Sequence, residues 1–203
     1  MPPAATADET PLRRKVLDAA LELFDERTWD GTNVPEIAAR AGVAVGTIYR
    51  YFPNKQALGE AVFTEAKAAF ADTVVTDAVR AADPATAIGL VWQHQVAFAL
   101  AYPQAFSFLE HQVHGSYLRP QAYEVVDRLN AELVEIMRAA QQAGAVRTGD
   151  PQVLLSMAFG AFVGVTKHSR ASGVPLGEYD LEGVREAVMS LIGLTGPGSP
   201  DAA

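Results

Sequence analysis

Apolar residues recur every three or four positions along most of the chain, and short stretches with glycine, proline or a capping residue separate them. This spacing is that of an amphipathic α-helix, whereas a half-exposed β-strand would require strict alternation of apolar and polar residues. No stretch of the sequence shows that alternation. The pattern therefore predicts an all-α protein of about nine helices.

Four of these helices are predicted in the N-terminal part of the chain. Thr10 followed by proline predicts a helix start, and Asn33 opens an Asn-x-x-Glu capping pattern. Gly42 can adopt the left-handed conformation that ends a helix, and Pro53 cannot continue one. The expected helices cover residues 11–27, 34–41, 45–52 and about 54–80.

Five further helices are predicted after Asp83-Pro84, which opens a new unit. Tyr102-Pro103 and Gly144 mark helix ends, and Asp150-Pro151 marks a helix start. These helices are expected over residues 84–101, 103–114, 121–143, 151–171 and 178–194.

Composition excludes several classes of protein. The chain has no cysteine, so disulfides and thiolate metal sites are absent, which suits the reducing cytoplasm. The uncharged, glycine-containing run over residues 151–166 falls short of the ~18 residues of a membrane span. We therefore expect a cytoplasmic protein with no membrane partner. Residues 1–9 and 196–203 are expected to be a disordered leader and a disordered tail.

The net charge of −8 argues against DNA binding when it is taken globally. Residues 1–60 hold seven basic and nine acidic side chains, a balance of −2, and the remainder holds nine and fifteen, a balance of −6. Screening limits the reach of exposed charges to ~8–10 Å, so local placement matters more than the total. The net charge alone therefore does not decide whether the protein binds DNA.

Residues 32–58 have the layout of a helix-turn-helix, in which two short amphipathic helices flank a glycine turn. Its fixed spacings place small, apolar, aromatic and basic residues at Thr32, Ile37, Ala38, Ala41, Gly42, Val43, Gly46, Thr47, Ile48, Tyr49, Tyr51, Phe52, Lys55 and Leu58. At these positions the stretch resembles the N-terminal domain of the tetracycline-repressor (TetR) family of bacterial transcription regulators. The resemblance implies a DNA-binding domain over residues 10–56, joined by the fourth helix to a ligand-binding and dimerisation domain over 83–195.

The resemblance also implies which residues meet DNA. Arg50 can bind guanine with two hydrogen bonds, and Val45 can contact a thymine methyl group. Tyrosine hydroxyls, the lysine in the first turn of the fourth helix and backbone N–H groups at the start of the second helix suit phosphates. The candidate DNA-contacting residues are Asn33, Val34, Val45, Gly46, Thr47, Tyr49, Arg50, Tyr51 and Lys55.

The eighth predicted helix carries a ladder of small residues, Ser156, Gly160 and Gly164, four positions apart. Small residues let a second helix approach closely. Because apolar residues surround this helix on all sides, one chain of this size hardly supplies enough cover for it. We therefore expect a homodimer formed through the eighth and ninth helices, as in other two-fold DNA-binding proteins.

Aromatic residues and histidines in the C-terminal region are candidates for the lining of an inducer pocket, which the resemblance implies for this domain. For any single one of them, ordinary core packing is the commoner role. Taken together they would suit a small hydrophobic or aromatic ligand. They are Trp92, His94, Phe98, Phe106, His111, Tyr123, Met137, Phe159 and Phe162.

Catalytic and metal sites have little support. Glu110, His111 and His114 lie close together on one helix, but the Glu-x-x-His element of di-iron bundles does not occur. The sequence also lacks a phosphate-binding loop, a nucleophile elbow and a zinc-protease motif. We expect no enzyme activity, no metal and no cofactor.

The sequence thus predicts a dimeric DNA-binding transcription regulator, most simply a repressor that a small hydrophobic or aromatic inducer releases from a palindromic operator. A helical interaction protein of the same fold without specific DNA binding is the alternative. The acidic balance and the apolar Val45 motivate that alternative. A small helical enzyme is a more distant third.

Overall fold

A computed structural model of the protein describes residues 10–194, so the expected leader and tail lie outside the described residues. Every regular element within this range is helical, which confirms the all-α prediction. Two 3-10 turns, Pro120–Tyr123 and Leu176–Glu178, accompany ten α-helices in the described part of the chain. The helices are α1 Pro11–Arg27, α2 Val34–Ala41, α3 Val45–Tyr51, α4 Lys55–Val74, α5 Asp77–Ala81, α6 Pro84–Ala101, α7 Pro103–His111, α8 Glu124–Gln142, α9 Pro151–Ser172 and α10 Leu181–Leu191.

The predicted capping residues determine where the N-terminal helices begin and end. The Thr10 side chain accepts a hydrogen bond from the backbone N–H of Arg13 at the start of α1. Asn33 and Glu36 form a reciprocal capping box at the start of α2. Gly42 ends α2 with φ 67° and ψ 36°, a left-handed conformation that costs glycine little.

The fourth helix is shorter than the helix over residues 54–80 that the sequence predicts. It ends at Val74, and α5 begins separately at Asp77. Residues 73–76 are all β-branched, which weakens helix propensity. The Thr76 side chain also accepts a hydrogen bond from the N–H of Val79 and so caps a new helix. This break accounts for the additional helix.

Other helix boundaries differ by one turn or less. The helix expected to reach residue 114 ends at His111, because Gln112 is extended and donates its side-chain N–H to the carbonyl of Phe24 at 2.6 Å. The helix expected from residue 178 begins at Leu181, after Asp180 caps it through the N–H of Gly183.

The described residues form two compact units. The first combines the chain through Asp72 with Ala101–Asp127, and α1 contacts α2, α3 and α7 within it. Its largest fully buried side chains include Leu17, Phe24, Ile37, Ile48, Leu58, Phe106 and Phe108.

The second unit combines Thr73–Leu100 with the chain from Arg128 onward. Trp92 of α6 and Phe162 of α9 pack edge to face there, with ring centroids 5.4 Å apart. Phe98 and Met137 are buried as well. Among the residues that the structure describes, no helix combines the length and apolarity needed to span a membrane.

Charged side chains of α4 are paired within the first unit. Glu60 accepts hydrogen bonds from the backbone N–H and the guanidinium of Arg119, at 2.9 Å to the backbone nitrogen and 2.8 Å to Nε. Lys67 donates to Glu110 at 2.7 Å, and Arg13 of α1 donates to Glu65 at 2.5 Å. Hydrogen bonding by the Arg119 guanidinium lowers the pKa of Glu60 below its usual value.

The Glu60–Arg119 pair makes stability depend on pH. A carboxyl group with a depressed pKa contributes stability above its unfolded pKa and loses it as the pH falls through the folded pKa. Glu60→Gln should therefore lower the free energy of unfolding at pH 7 by about 1–2 kcal/mol. This difference from wild type should shrink between about pH 5 and pH 3. Urea unfolding at each pH measures it.

Glu186→Gln is the control, because Glu186 is exposed on α10. It should change stability by less than about 0.5 kcal/mol at either pH. A Glu60→Gln cost that stayed constant across this pH range would contradict the assigned role of the ion pair.

Candidate nucleic-acid and ligand interfaces

One face of α3 is buried and the other is open to solvent. Ile48 and Phe52 are buried in the first unit. Val45 is 37% exposed and Tyr49 is 49% exposed on the opposite face. A Cβ atom added at Gly46 would meet no atom within 4 Å, so the start of this face is both small and accessible. These are the positions at which the sequence predicted contact with DNA.

The surface around α3 keeps its positive charge although the whole chain is acidic. Residues 37–59 contain no aspartate or glutamate. Arg27 pairs with Glu36 at 3.0 Å, and Arg40 pairs with glutamates of α1. In the described part of the chain, neither Arg50 nor Lys55 forms an ion pair with a carboxylate. Local charge placement therefore permits phosphate contact here.

Tyr51 links the end of α3 to the start of α1. Its hydroxyl oxygen accepts hydrogen bonds from Thr10 Oγ1 at 3.1 Å and from Arg50 Nη2 at 3.3 Å. The Arg50 guanidinium carbon lies 5.1 Å from the centre of the Tyr51 ring. These two hydrogen bonds lower the pKa of Tyr51. Sequence reasoning missed this role of Thr10, because a helix cap carries no signal for a contact 41 residues away.

Two of the predicted DNA contacts lie at the start of α2. The backbone N–H of Asn33 donates to Glu36 Oε2 at 3.2 Å, so this donor already has a partner within the chain, and its contact with DNA stays a prediction. The capping box that fixes the helix start uses that donor. The Val34 side chain is buried, so only its backbone N–H in the first turn suits the predicted contact.

Lys55 lies against the loop between α1 and α2. Its Nζ donates to the backbone carbonyl of Trp29 at 2.5 Å and lies 4.0 Å from the centre of the Trp29 ring. Burial lowers the pKa of this lysine. The sequence predicted a phosphate contact for Lys55 but did not identify Trp29 as its partner.

The nine candidate pocket residues are divided between the two units. Phe106, His111 and Tyr123 belong to the first unit, where the Phe106 and His111 rings are 6.3 Å apart. The other six belong to the second unit, where four are buried in the core and His94 and Phe159 are half-buried. They are Trp92, His94, Phe98, Met137, Phe159 and Phe162.

A groove of about 740 Å³ lies within the second unit, and none of the nine candidates lines it. Its lining comes from the segment around α5, the start of α6, several residues between positions 130 and 139 of α8, and Gln152. The apolar part includes Val75, Val79, Ala87, Val134 and Ile136. Sequence reasoning missed this groove because small aliphatic residues in several segments carry no pattern of their own.

The small-residue ladder of α9 is open to solvent in the single chain. Ser156 is exposed, and a Cβ atom at Gly160 or Gly164 would meet no atom within 4 Å. Val153 and Met157 on the same face are 52% and 42% exposed. The expectation that α9 is covered on every side is thus not met by one chain, which buries only the face with Leu154, Phe162 and Thr166.

Two family models match adjoining parts of this chain. The model described as bacterial regulatory proteins of the tetR family matches residues 16–62. The model described as a tetracyclin repressor-like C-terminal domain matches residues 63–187. Together they cover most of the described chain and meet at the first turns of α4.

Curated relatives agree with this match. A fatty acid metabolism regulator protein of Bacillus subtilis is 29% identical over 153 residues, which is 74% of this chain and 79% of that relative. The transcriptional repressor KstR of Rhodococcus jostii is 46% identical over 43 residues, 21% of this chain and 20% of its own length.

Solved structures share the fold. The fatty acid degradation regulator FadR of Bacillus halodurans superposes with a TM-score of 0.74 at 24% identity, covering 94% of this chain and 98% of that one. FadR of Bacillus subtilis, solved in complex with stearoyl-CoA, gives 0.73 at 24% identity and covers 91% and 99%. The family matches and this fold together show that the chain belongs to the tetR family of bacterial regulatory proteins and is a DNA-binding transcription regulator.

Proposed function

We propose that this regulator is a homodimeric repressor whose affinity for a palindromic operator falls when it binds a long-chain acyl thioester. The observation that supports the DNA-binding part best is the exposed face of α3, which keeps Arg50 without a carboxylate partner. The alternative of an interaction protein without DNA binding would give no reason for the exposed face of α3 to lack carboxylates beside Arg50.

Arg50 is proposed to read a guanine. Its guanidinium is exposed, and its hydrogen bond to Tyr51 at 3.3 Å is weak enough to exchange for a base edge. The exposed glycine and valine at the start of α3 allow the helix to approach the groove closely.

Replacing Arg50 tests the DNA-binding proposal. Arg50→Ala should lower affinity for the operator by about 1–3 kcal/mol and relax the preference at one base pair of each half-site. The operator would be sought upstream of the regulator's own gene, and gel-shift titrations with single-base variants would measure the preference. Arg128→Ala, an exposed position on α8, is the control. Equal binding of every duplex by wild type and variant would support the interaction protein instead.

The open face of α9 is proposed to pair with its copy in a second chain. Two-fold dimers match the symmetry of palindromic sites. Val153 and Met157 flank the glycines, and contact with a partner helix would remove these apolar side chains from water. Leu191 of α10 is a further exposed apolar side chain, at 36% exposure.

A bulky residue in the ladder should prevent pairing. Gly160→Leu places a side chain where close helix approach is proposed, so the protein should become monomeric at micromolar concentration. Light scattering after size exclusion measures the mass, and circular dichroism confirms folding. Ala97→Leu, at an exposed position on α6, should remain dimeric. A dimeric and folded Gly160→Leu protein would exclude this face.

The ligand proposal draws on the relatives and on the groove of the second unit. Regulation of fatty acid metabolism is the printed role of one relative, and stearoyl-CoA is bound in one neighbour. The groove volume lies within the range typical of ligand sites, about 300–1,000 Å³. Its aliphatic lining suits an acyl chain better than the aromatic ligand that the sequence suggested.

Two arginines at the groove suit the phosphates of a nucleotide thioester. Arg80 pairs with Glu132 and Asp77, and Arg138 pairs with Glu135. Their side chains are 52% and 53% exposed. Exposed ion pairs contribute only about 0–1 kcal/mol to stability, so a phosphate bound through a bidentate contact can replace the carboxylates.

Titration with stearoyl-CoA should lower the affinity of the wild-type protein for operator DNA, whereas coenzyme A without an acyl chain should not. Arg80→Ala should weaken stearoyl-CoA binding about three- to tenfold, because it removes a charge-assisted contact at a half-exposed site. Isothermal titration calorimetry measures this. Arg128→Ala does not line the groove and should bind like wild type. An equal loss in both variants would point to general electrostatic attraction, and unchanged binding in Arg80→Ala would exclude the groove.

A further inference from the structure

The first two turns of α4 contact two loops. One carries Trp29, and the other includes residues 117–119. Lys55, Gln56, Gly59 and Glu60 share one face of the helix, because residues four apart lie above one another. Lys55 contacts Trp29, and Glu60 binds Arg119. The segment 117–119 is therefore fixed on the end of α4 at which the phosphate contact is predicted.

Trp29 and Tyr117 stack on each other beside this face. Their ring centroids are 4.6 Å apart and the rings are inclined by only 12°. A Cβ atom on Gly59 would lie 2.7 Å from Trp29 Nε1 and 2.9 Å from Tyr117 Cε2. Real Cβ atoms do not approach other atoms so closely, so any larger residue at position 59 would have to displace one of the two rings.

Tyr117 is held in place from three directions. Its ring is buried, and its backbone carbonyl accepts a hydrogen bond from Gln56 at 2.8 Å. Its hydroxyl lies 2.7 Å from His114 Nδ1, while His114 Nε2 lies 2.8 Å from the carbonyl of Phe108. Because a carbonyl can only accept, Nε2 carries the imidazole proton and Nδ1 accepts from the tyrosine. Burial raises the pKa of Tyr117 and lowers that of His114, which keeps both groups neutral.

The contact between Lys55 and Trp29 leaves part of the ammonium group unused. An ammonium has three N–H donors, and the Trp29 carbonyl takes one of them. A free lysine side chain loses rotamer entropy when it binds a phosphate, because its rotatable bonds become fixed. A lysine that is already held on the indole ring has lost much of this entropy before DNA arrives.

We propose that Trp29 and Tyr117 are positioning residues for DNA binding, because their stack holds the Lys55 ammonium in place with an N–H group left for a phosphate of the duplex. This inference rests on the DNA-binding function of the chain. Tyr117 lies in the region matched by the C-terminal family model, outside the helix-turn-helix. A residue of that region thus determines how well a lysine of the DNA-binding surface is preorganised.

The salt dependence of DNA binding tests this proposal, since each lost phosphate contact lowers the slope of log K against log salt by about 0.9. Tyr117→Leu and Gly59→Ala both separate the stack. Each should lower affinity for a mixed-sequence duplex about tenfold and the slope by about one. Fluorescence anisotropy over a range of salt concentrations measures both quantities. Tyr117→Phe keeps the stack and should retain the wild-type slope.

A double-mutant cycle separates positioning from simple destabilisation. In a Lys55→Ala background, Tyr117→Leu and Gly59→Ala should cause no further loss, because the group through which they act is already absent. Gly89→Ala is the matched control. It places the same methyl group on a helix where no atom lies within 4 Å, and it should bind DNA like wild type.

Three outcomes would overturn the proposal. One is a wild-type slope in a folded Tyr117→Leu or Gly59→Ala protein, with folding checked by thermal denaturation. Another is a loss that adds to that of Lys55→Ala. The third is a Lys55→Ala protein with an unchanged slope. Gly59→Ala favours helix in α4 and decides the question if Tyr117→Leu does not fold. Failure of the wild-type protein to bind any duplex would instead contradict the DNA-binding function itself.

Discussion

The DNA-binding surface depends on the burial of one face of α3. A helix of seven residues is too short to be stable alone, and Ala44 supplies no side-chain cap for it. Burial of Ile48 and Phe52 contributes about 1.5–3 kcal/mol each. A missing cap costs about 1 kcal/mol, so the packing outweighs it. The same contact fixes the rotation of the helix, and this rotation turns Tyr49 and Arg50 toward solvent.

Carboxylates and unpaired basic residues also occupy different parts of the DNA-binding domain. The chain as a whole is acidic, but Glu22 and Glu26 of α1 and Glu36 of α2 are paired with Arg40 and Arg27. The surface of α3 and the start of α4 holds no carboxylate of its own. A global charge therefore says little about a site smaller than the screening length, which is ~8–10 Å.

The aromatic residues and histidines of the C-terminal region illustrate a different point. They attracted attention in the sequence because they are large and chemically distinctive, yet Trp92, Phe98 and Phe162 are among the most buried side chains of their unit. Large apolar residues serve mainly to fill a core. The apolar part of the groove is lined instead by small aliphatic residues, whose short side chains leave the space between the helices open.

The sequence by itself determined the helices, their caps and the helix-turn-helix, because periodicity, Asn33, Gly42 and Pro53 act over one or two turns of the chain. It also identified the open ladder of α9 as a surface that one chain leaves unfilled. Only the tertiary structure decided that Lys55 rests on Trp29 and that Tyr117 stacks beside it. These contacts join residues 26 to 88 positions apart, and no local pattern records which distant partner a side chain will meet.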